Sequence, residues 1–554
     1  MPSDLHLPFW PAHAPRHLWV PETHLYRNVE VAAMRFPRKP FVIFYDTQIT
    51  YADFQRETEQ VAAYLQQRLG VRKGNRVLLY MQNSPQFMVA YYGILRADAV
   101  VVPVNPMNLT QELRHYVRDS GARVAFAAQD LLPRMQPLLA EGLAHIVVAT
   151  YSDYLREPTD ITVPDFVAAP RAPLNHEGLV AWADVLAAAL TPGAIAAGPD
   201  DLAVMPYTSG TTGHPKGCMH THRSVMFNTA GCWGLSNQGS VGLAVLPLFH
   251  VTGMQANMNG AIYNGATVVL LPRWDRDAAA LCIQRHRVTG LALITAMVID
   301  FMTNPKLKQY DLSSVRRIGG GGAAMPKAVA LAMQATFGIK YGEGYGMSET
   351  MAATHANPPD RPKEQCLGIP IYDVDSRIVN PDTLQEMPRG QTGEIVVHGP
   401  QVMLGYWNQP QATAEAFIEI DGKRFLRTGD LAYIDDEGYY FFVDRLKRMI
   451  NAAGFKVWPA EVEALLYQHP AIQEACVISA RDARRGETVK AVVVLKPSFV
   501  ERVTEQEIAD WAHEHMAAYK APRIVQFAAS LPKTGSGKVM WRALQEHENT
   551  AQPA

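Results

Sequence analysis

The sequence has few cysteines and no excess of charge of either sign. Its five cysteines are widely spaced, with no C-x-x-C pair, among 554 residues. An odd and scattered set of this kind indicates reduced, intracellular thiols rather than a disulfide framework. Lysine and arginine total 51 against 53 aspartate and glutamate residues, which gives a net charge of −2. Nucleic-acid binding usually needs a basic excess, so nucleic acid is not expected as a partner.

The N-terminal residues do not have the pattern of a secretory signal, and no long apolar run is free of interruptions. The first eight residues have neither a basic start nor an apolar core, which predicts a cytoplasmic protein rather than a secreted one. Residues 224–272 contain no Asp, Glu, Lys or Arg, but Gly, Asn, Gln and Pro interrupt them. This segment is therefore predicted to be a buried layer that lines an apolar substrate cavity, and not a membrane span.

The Walker phosphate-binding loop is absent, yet another loop of small polar residues is present. Residues 207–217 read Y-T-S-G-T-T-G-H-P-K-G. Ser, Thr and Gly supply hydroxyl and backbone N–H donors without bulk, and Lys216 adds a positive charge. The Walker pattern requires Gly before the lysine and Ser or Thr after it, whereas Pro215 and Gly217 stand there. We call residues 208–216 the cradle and predict that it binds a polyphosphate.

Alternating strand and helix patterns predict an α/β fold, because this rhythm is typical of parallel sheets. Strands of a first unit are expected at residues 76–81, 100–104 and 124–127, with helices at 86–96 and 111–118. A second unit is expected to have strands at 241–246, 267–271, 290–294 and 314–319, with a helix at 276–286. Thr50 and Asp53 have the spacing of a capping box, which predicts the start of a helix.

Three further segments differ in character. Residues 151–192 are predicted to be an irregular excursion with one helix at 179–190. Short strands at 376–379, 394–398, 425–427 and 439–443 predict a small β subdomain. The charged run at 445–448 is predicted to be an exposed linker, after which an α+β domain begins.

Four more short motifs suit a nucleotide. A glycine cluster at 319–322 follows a predicted strand and allows backbone to approach a flat ligand. The stretch G-Y-G-M-S-E-T at 344–350 offers an aromatic ring, hydroxyls and a carboxylate suited to Mg²⁺. Asp430 provides an acceptor in a turn, which a ribose diol requires. Lys538 lies on a loop of small residues that can move, and so can bring a positive charge to the phosphates.

Together these motifs resemble the AMP-forming acyl-CoA synthetase, adenylation-domain and firefly-luciferase superfamily. Five of them occur in family order, namely the cradle, Leu248-Phe249-His250, residues 344–350, residues 427–430 with Asp444-Arg445, and the Lys538 loop. Within this superfamily, the motifs most resemble those of medium- or long-chain fatty-acid–CoA ligases. The resemblance implies a large N-terminal domain of layered α/β sheets with a small β subdomain over residues 1–446. A small, mobile α+β C-terminal domain would follow over residues 447–554, with its hinge at Lys447.

The same resemblance assigns roles to individual residues. Lys538, His250 and Glu349 are expected to be catalytic, and Glu349 with Thr208 to hold Mg²⁺. The residues expected to bind ATP or CoA are Thr208, Ser209, Gly210, Thr211, Thr212, Gly213, Lys216, Gly322, Ala323, Gly344, Tyr345, Gly346, Ser348, Asp430, Arg445, Lys447, Ala453 and Gly454. Those expected to contact the acid are His250, Met254, Met258, Gly320 and Gly346.

The function that the resemblance implies has two steps. A carboxylic acid reacts with ATP to give acyl-AMP and pyrophosphate, and CoA then takes the acyl group as a thioester. Amino acids are disfavoured, because relatives that activate them carry Asp where His250 stands. Aryl-acid–CoA ligase, acyl-AMP ligase loading a carrier protein in trans, and an inactive nucleotide-binding homologue are the alternatives. The sequence leaves open whether the protein contacts a membrane to collect lipid and whether it forms a homodimer.

Overall fold

The computed structural model describes residues 4–551 except 209–214, 232–236, 322–324, 453–454, 483–485 and 535–537. Two large sheets share one continuous hydrophobic core, which includes Phe41, Leu78, Val102 and Leu270. A small sheet and a C-terminal sheet follow, and the latter has its own core around Val462, Val477 and Ile508. The fold is therefore mixed α/β, with a large N-terminal part and a small C-terminal part, as predicted.

The largest sheet has nine strands in the order β18-β17-β16-β15-β14-β12-β13-β1-β2. Its strands are β1 (Pro40–Phe44), β2 (Thr47–Thr50), β12 (Val241–Ala244), β13 (Thr267–Leu270), β14 (Gly290–Ala292), β15 (Arg317–Gly321), β16 (Gly342–Met347), β17 (Ala352–Ala356) and β18 (Ile369–Pro370). The pairs from β1 through β13, β12, β14 and β15 to β16 are parallel. The candidate motifs 319–321 and 344–347 therefore lie side by side on β15 and β16, at the carboxyl ends of parallel strands.

The second large sheet has seven strands in the order β11-β8-β4-β3-β5-β6-β7. They are β3 (Arg76–Tyr80), β4 (Val100–Pro103), β5 (Val124–Ala128), β6 (His145–Ala149), β7 (Leu179–Ala181), β8 (Leu202–Val204) and β11 (His220–Thr221). A two-stranded ribbon, β9 (Tyr207–Thr208) with β10 (Lys216–Gly217), lies between β8 and β11 in the chain. The cradle is thus anchored at the edge of this sheet.

The small sheet contains β19 (Asp375–Val379), β20 (Gly393–His398), β21 (Phe417–Ile420), β22 (Lys423–Ile434) and β23 (Tyr440–Arg445). The C-terminal sheet contains β24 (Ile450–Ala452), β25 (Phe455–Val457), β26 (Ile472–Asp482), β27 (Gly486–Leu495) and β28 (Ile524–Phe527). All neighbouring pairs of the small sheet are antiparallel, which confirms the predicted β subdomain.

The helices cover the faces of these sheets. They are α1 (Arg27–Arg35), α2 (Tyr51–Gln67), α3 (Pro85–Arg96), α4 (Thr110–Ser120), α5 (Leu132–Met135), α6 (Asp165–Ala168), α7 (Trp182–Ala187), α8 (His222–Ala230), α9 (Val251–Gly253), α10 (Gly260–Asn264), α11 (Arg276–His286), α12 (Thr295–Met302), α13 (Lys327–Phe337), α14 (Pro410–Glu415), α15 (Pro459–Leu466), α16 (Glu505–His515) and α17 (Trp541–Ala551). Helix α2 begins at the predicted capping box, in which Thr50 and Asp53 bond reciprocally.

Two expectations need correction. Residues 179–190 do not form one helix, because 179–181 pair with β6 as the edge strand β7 and the helix begins only at Trp182. The run 445–448 is not a fully exposed linker. The Arg448 side chain is only 13% exposed, since Glu463 accepts hydrogen bonds from its guanidinium and Val477 O accepts another. Buried pairing of this kind depends on residues far along the chain.

Candidate active site

The ends of the cradle are held together by strand pairing. Thr208 on β9 faces Lys216 on β10, so the intervening residues form a loop whose base is closed. The backbone N–H of Trp407 donates to Gly217 O at 2.8 Å, and that of Met219 donates to Gly405 O at 2.9 Å. These bonds anchor the cradle to the segment that carries Tyr406. The expected ligands Ser209, Gly210, Thr211, Thr212 and Gly213 lie outside the described residues.

Tyr406 connects the cradle to Glu349. The Lys216 ammonium lies 5.1 Å from the centre of the Tyr406 ring, and the Tyr406 hydroxyl donates to Glu349 Oε1 at 3.0 Å. Glu349 is 5% exposed, and burial raises the pKa of its carboxyl. Desolvation disfavours the charged form of the Glu349 carboxyl group. A cation bound beside Glu349 would counteract this effect and favour the carboxylate.

Glu349 and Thr208, the residues expected to hold Mg²⁺, have donor atoms that suit this ion. Glu349 offers a carboxylate and Thr208 a hydroxyl, and oxygen donors are what Mg²⁺ prefers. Within the part of the chain that the structure describes, no group of three or more His, Cys, Asp or Glu residues could hold a metal. A magnesium ion held by one or two protein oxygens completes its coordination with water and substrate phosphates. The donor set therefore suits an ion that arrives with a nucleotide.

Asp430 forms the centre of a second cluster. Tyr345 Oη donates to Asp430 Oδ2 at 2.7 Å, and Arg445 Nε lies 3.0 Å from Oδ1. Asp430 and Arg445 face each other on β22 and β23, and the carboxylate raises the pKa of the guanidinium. Asp430 is 3% exposed, and among the described residues no donor makes a hydrogen bond to its Oδ1, although the Arg445 guanidinium is near. A buried oxygen in this state can accept a bond from a ribose hydroxyl.

Close backbone packing requires glycine at several positions of β15 and β16. A Cβ on Gly320 would meet Leu293 O at 2.0 Å and Tyr341 Oη at 2.4 Å. On Gly346 it would meet Ala352 O at 1.7 Å. The 319–322 glycines are predicted to let backbone approach a ligand. The close contacts of the backbone give a second physical reason for glycine in this cluster. Gly344 has more room, with 3.4 Å to its nearest neighbour. Gly322 and Ala323 lie outside the described residues.

Lys538 reaches this cluster from the C-terminal part. Lys538 is exposed overall, but protein atoms surround its ammonium group. The resulting desolvation lowers the pKa of Lys538. The nearby charge of Arg445 lowers this pKa further, while Asp430 and Glu349 raise it. Burial, together with the Lys538 charge, lowers the pKa of His250 to about 3. The structure thus brings Lys538, His250, Glu349, Asp430 and Arg445 together, although they come from distant parts of the sequence.

The segment after His250 contains a π-helical turn. His250 Nδ1 accepts from Thr252 N at 3.3 Å and caps α9, and residues 254–259 then form the wider turn before α10. Met254 and Met258 are fully buried within it. Such turns occur frequently at functional sites, because they rotate side chains out of the regular helical register. The predicted buried layer is present here, while contact with an acyl chain stays a prediction.

The connection to the C-terminal part is held by charged groups. Asp444 is fully buried, and its Oδ2 accepts from Ala460 N at 2.6 Å. Arg448 lies 4.0 Å from Asp444 Oδ1 and makes its main ion pair with Glu463 at 2.5 Å. Lys447, the expected hinge, lies between Asp444 and Arg448 in the sequence, and burial lowers the pKa of its ammonium group. Ala453 and Gly454, expected along the path of CoA, lie outside the described residues.

Two protein-family models match this chain. The family model described as AMP-binding enzyme matches residues 29–407, and the one described as AMP-binding enzyme C-terminal domain matches residues 461–538. The chain belongs to the AMP-binding enzyme family. The long-chain-fatty-acid–CoA ligase of Bacillus subtilis is 35% identical over 97% of each chain. The 4-coumarate–CoA ligase 2 of Oryza sativa is 34% identical over 93% of this chain and 90% of its own.

Solved structures agree with the fold of this AMP-binding enzyme. An anthranilate CoA ligase in complex with anthranoyl-AMP matches with a TM-score of 0.83 and 27% identity, over 97% of this chain and 98% of that one. ATP-bound MatB from Rhodopseudomonas palustris matches with a TM-score of 0.82 and 26% identity, over 95% and 100%. The large α/β part and the small C-terminal part therefore have counterparts in known enzymes.

Two residues of the site in this AMP-binding enzyme were not found from the sequence. Tyr406 lies in a G-Y-W stretch whose only signal is an aromatic pair after glycine, and nothing in that pattern indicates Glu349, 57 residues away. His220 follows Lys216 by four residues, and its Nε2 lies 2.7 Å from Ser348 O. Both contacts are made between segments that are distant in sequence.

Proposed function

We propose that this AMP-binding enzyme is an acid–thiol ligase that activates a medium- or long-chain fatty acid. ATP and the acid would give acyl-AMP and pyrophosphate, and CoA would then take the acyl group as a thioester. The observation that carries the proposal is that the charges of Asp430, Glu349 and Arg445 act on Lys538, which comes from the C-terminal part of the chain. Similarity to the Bacillus subtilis long-chain-fatty-acid–CoA ligase over nearly the whole chain supports the choice of acid.

In the first step, a carboxylate oxygen of the acid attacks the α-phosphorus of ATP, and pyrophosphate leaves. Lys538 and the donors of the cradle stabilise the negative charge that develops on the transferring group. Tyr345 stacks on adenine, Asp430 accepts from the ribose, and Ser348 donates its hydroxyl to the α-phosphate. Mg²⁺, when bound by Glu349 and Thr208, supplies positive charge to the phosphate oxygens.

In the second step, the CoA thiol loses its proton to solvent, its sulfur attacks the carbonyl carbon of acyl-AMP, and the C–O bond to AMP breaks so that AMP leaves with the bonding electrons. For this step the C-terminal domain, residues 447–554, would rotate about Lys447 and withdraw Lys538. The CoA pantetheine would then pass Ala453 and Gly454. Domain closures of this type use a few residues as a hinge. His250, kept neutral by its burial, adds no charge beside the acid.

An AMP-release assay with CoA tests the proposal, using acetate, octanoate, palmitate, benzoate and coumarate as acids. The highest kcat/KM is expected with octanoate or palmitate. Highest activity with benzoate or coumarate would instead support an aryl-acid–CoA ligase, which the similarity to 4-coumarate–CoA ligases favours as second candidate. Absence of CoA-dependent turnover with every acid would contradict both.

The cellular setting is part of the same proposal. The enzyme would work in the cytoplasm, with peripheral contact to a membrane from which it collects lipid, and as a homodimer. Among the described residues, every helix is too short or too polar to cross a bilayer. Flotation with lipid vesicles and light scattering in solution test these two associations.

A further inference from the structure

The turn that carries Ser348 and Glu349 continues into unusual backbone. Residues 348–350 form one 3₁₀ turn, after which Met351 has φ 47° and Ala352 has φ 87°. Side-chain-bearing residues rarely adopt positive φ, and two in succession persist only where the surroundings enforce them. The support for this turn therefore has to come from neighbouring elements.

Asn228 on α8 provides one support. It is 4% exposed, and its Nδ2 lies 2.9 Å from Thr350 O, 2.8 Å from Met351 O and 3.2 Å from Ala353 O. These carbonyls belong to the backbone where the positive φ angles interrupt regular bonding. The two hydrogens of this single buried amide are shared among the carbonyls along the bend, and Gln401 Nε2 also lies 3.5 Å from Ala353 O.

His220 on β11 provides a second support from the other end of the turn. It is fully buried, with Nε2 2.7 Å from Ser348 O and Nδ1 3.4 Å from Ser224 Oγ. A carbonyl only accepts, so Nε2 carries the hydrogen and donates it. Burial lowers the pKa of His220 to about 4, which keeps the ring neutral near pH 7. In this neutral form Nε2 holds the hydrogen that is donated to Ser348 O.

Both supports belong to the segment that directly follows the cradle. His220 comes four residues after Lys216, and Asn228 lies in the next helix. The geometry points to a clamp, formed by Asn228 and His220, that fixes Ser348 and Glu349 relative to the cradle for binding of the nucleotide phosphates. Both are positioning residues, and this inference rests on the proposed function only for the identity of the nucleotide.

Four variants test the clamp in the full-length protein. Asn228→Asp keeps the shape but brings acceptors against three carbonyls, and Asn228→Ala removes the amide. His220→Leu removes the donor, whereas His220→Gln places an amide N–H near the position of Nε2. Asn304→Ala is the matched control, because Asn304 is a buried asparagine that donates to Asp277 instead.

Two measurements are made on each variant. Hydrogen exchange over residues 343–356 reports on the turn itself and needs no turnover. Pyrophosphate release and thioester formation from supplied acyl-AMP report separately on the two half-reactions. Loss of a supporting hydrogen bond typically lowers activity about 10- to 100-fold. We expect that loss, with a raised KM for ATP, in pyrophosphate release of Asn228→Asp, Asn228→Ala and His220→Leu. Thioester formation should stay within about twofold, and His220→Gln should recover most of the activity.

The outcomes separate the clamp from the proposed function. Unchanged hydrogen exchange in the 343–356 region of Asn228→Asp and His220→Leu would overturn the clamp. Equal losses in both half-reactions, matched by Asn304→Ala, would also overturn it in favour of a general effect on folding. Faster exchange in that region in a protein that activates no acid would support the clamp while contradicting the proposed function.

Discussion

Tyr406 donates its hydroxyl hydrogen to Glu349 Oε1 across 3.0 Å, and the same ring lies against the ammonium of Lys216. One aromatic side chain thus separates the cation of the cradle from the carboxylate expected to hold Mg²⁺. Direct pairing of Lys216 with Glu349 would neutralise both groups before a nucleotide arrives. The tyrosine therefore keeps each charge available for the phosphates and the metal ion.

Removing this hydroxyl is expected to weaken use of magnesium. In Tyr406→Phe, Glu349 loses its donor, so its orientation is no longer fixed. We expect the Mg²⁺ concentration for half-maximal pyrophosphate release to rise about tenfold, the usual cost of losing a bond to a metal ligand. Tyr467→Phe, which removes a hydroxyl near Ala475 N in the C-terminal sheet, is the control. An unchanged Mg²⁺ dependence in Tyr406→Phe would contradict this role.

Lys538→Ala is expected to separate the two half-reactions. Loss of one preorganised charge should lower the rate of adenylation about 10²- to 10³-fold, because negative charge builds up on the oxygens around the five-coordinate phosphorus in the transition state. Thioester formation from supplied acyl-AMP should stay near the wild-type rate. Lys533→Ala, five residues earlier and paired with Glu474 at 2.7 Å, should affect neither. Rates that fall equally in both half-reactions would disprove the assignment.

Glu343 on β16 should make stability depend on pH. It is 7% exposed, and burial raises its pKa from 4.5 to about 7. Between these values the folded protein keeps a proton that the unfolded chain has released, so stability falls as pH rises from about 4.5 to 7. The loss reaches about 3 kcal/mol above pH 7. Urea unfolding should therefore show Glu343→Gln to be more stable than wild type at pH 8, with the difference vanishing near pH 4.

The exposed Glu419→Gln is the control for this experiment and should follow the wild-type pH dependence. Met325 N donates to Glu343 Oε1 at 3.4 Å, and a glutamine oxygen can accept the same bond. Identical pH profiles for Glu343→Gln and wild type would show that Glu343 titrates alike in folded and unfolded chains.

Met258→Ala distinguishes a pocket wall from ordinary core. If the side chain lines the acyl site, its removal makes room for several carbons, and we expect kcat/KM for palmitate relative to octanoate to rise about tenfold. Met88→Ala on α3 is the control, since Met88 is equally buried. It should cost about 2–5 kcal/mol of stability without changing the ratio. If Met258→Ala is destabilised but its kcat/KM for palmitate relative to octanoate is unchanged, Met258 belongs to the core.

Local signals in the sequence were sufficient for most of the fold. The Thr50–Asp53 capping box places the start of α2 correctly because its donors and acceptors are three residues apart. Strand β7 was missed because three residues gain their strand conformation only by pairing with β6. The burial of Arg448 was missed because Glu463 and Val477, which hold it, come 15 and 29 residues later.

The candidate site shows the same division. The cradle, residues 344–350 and Lys538 are recognisable as motifs, because phosphate and metal chemistry limits the residue types that can serve. Tyr406, Asn228 and His220 act through backbone or side-chain partners on other segments, and no local pattern marks such a contact. What they hold in place becomes visible only in three dimensions.

The bond from Ala460 N to Asp444 satisfies a donor at the start of helix α15 with a side chain from the opposite side of the proposed hinge. Pro459, the first residue of that helix, has no N–H, so Ala460 offers the first unsatisfied donor. Rotation about Lys447 would remove this bond, at a cost of about 1 kcal/mol. The two orientations would then differ in energy even without substrates. Each catalytic cycle would fray and reform the start of one helix, so hydrogen exchange at α15 would report which half-reaction the enzyme is ready to perform.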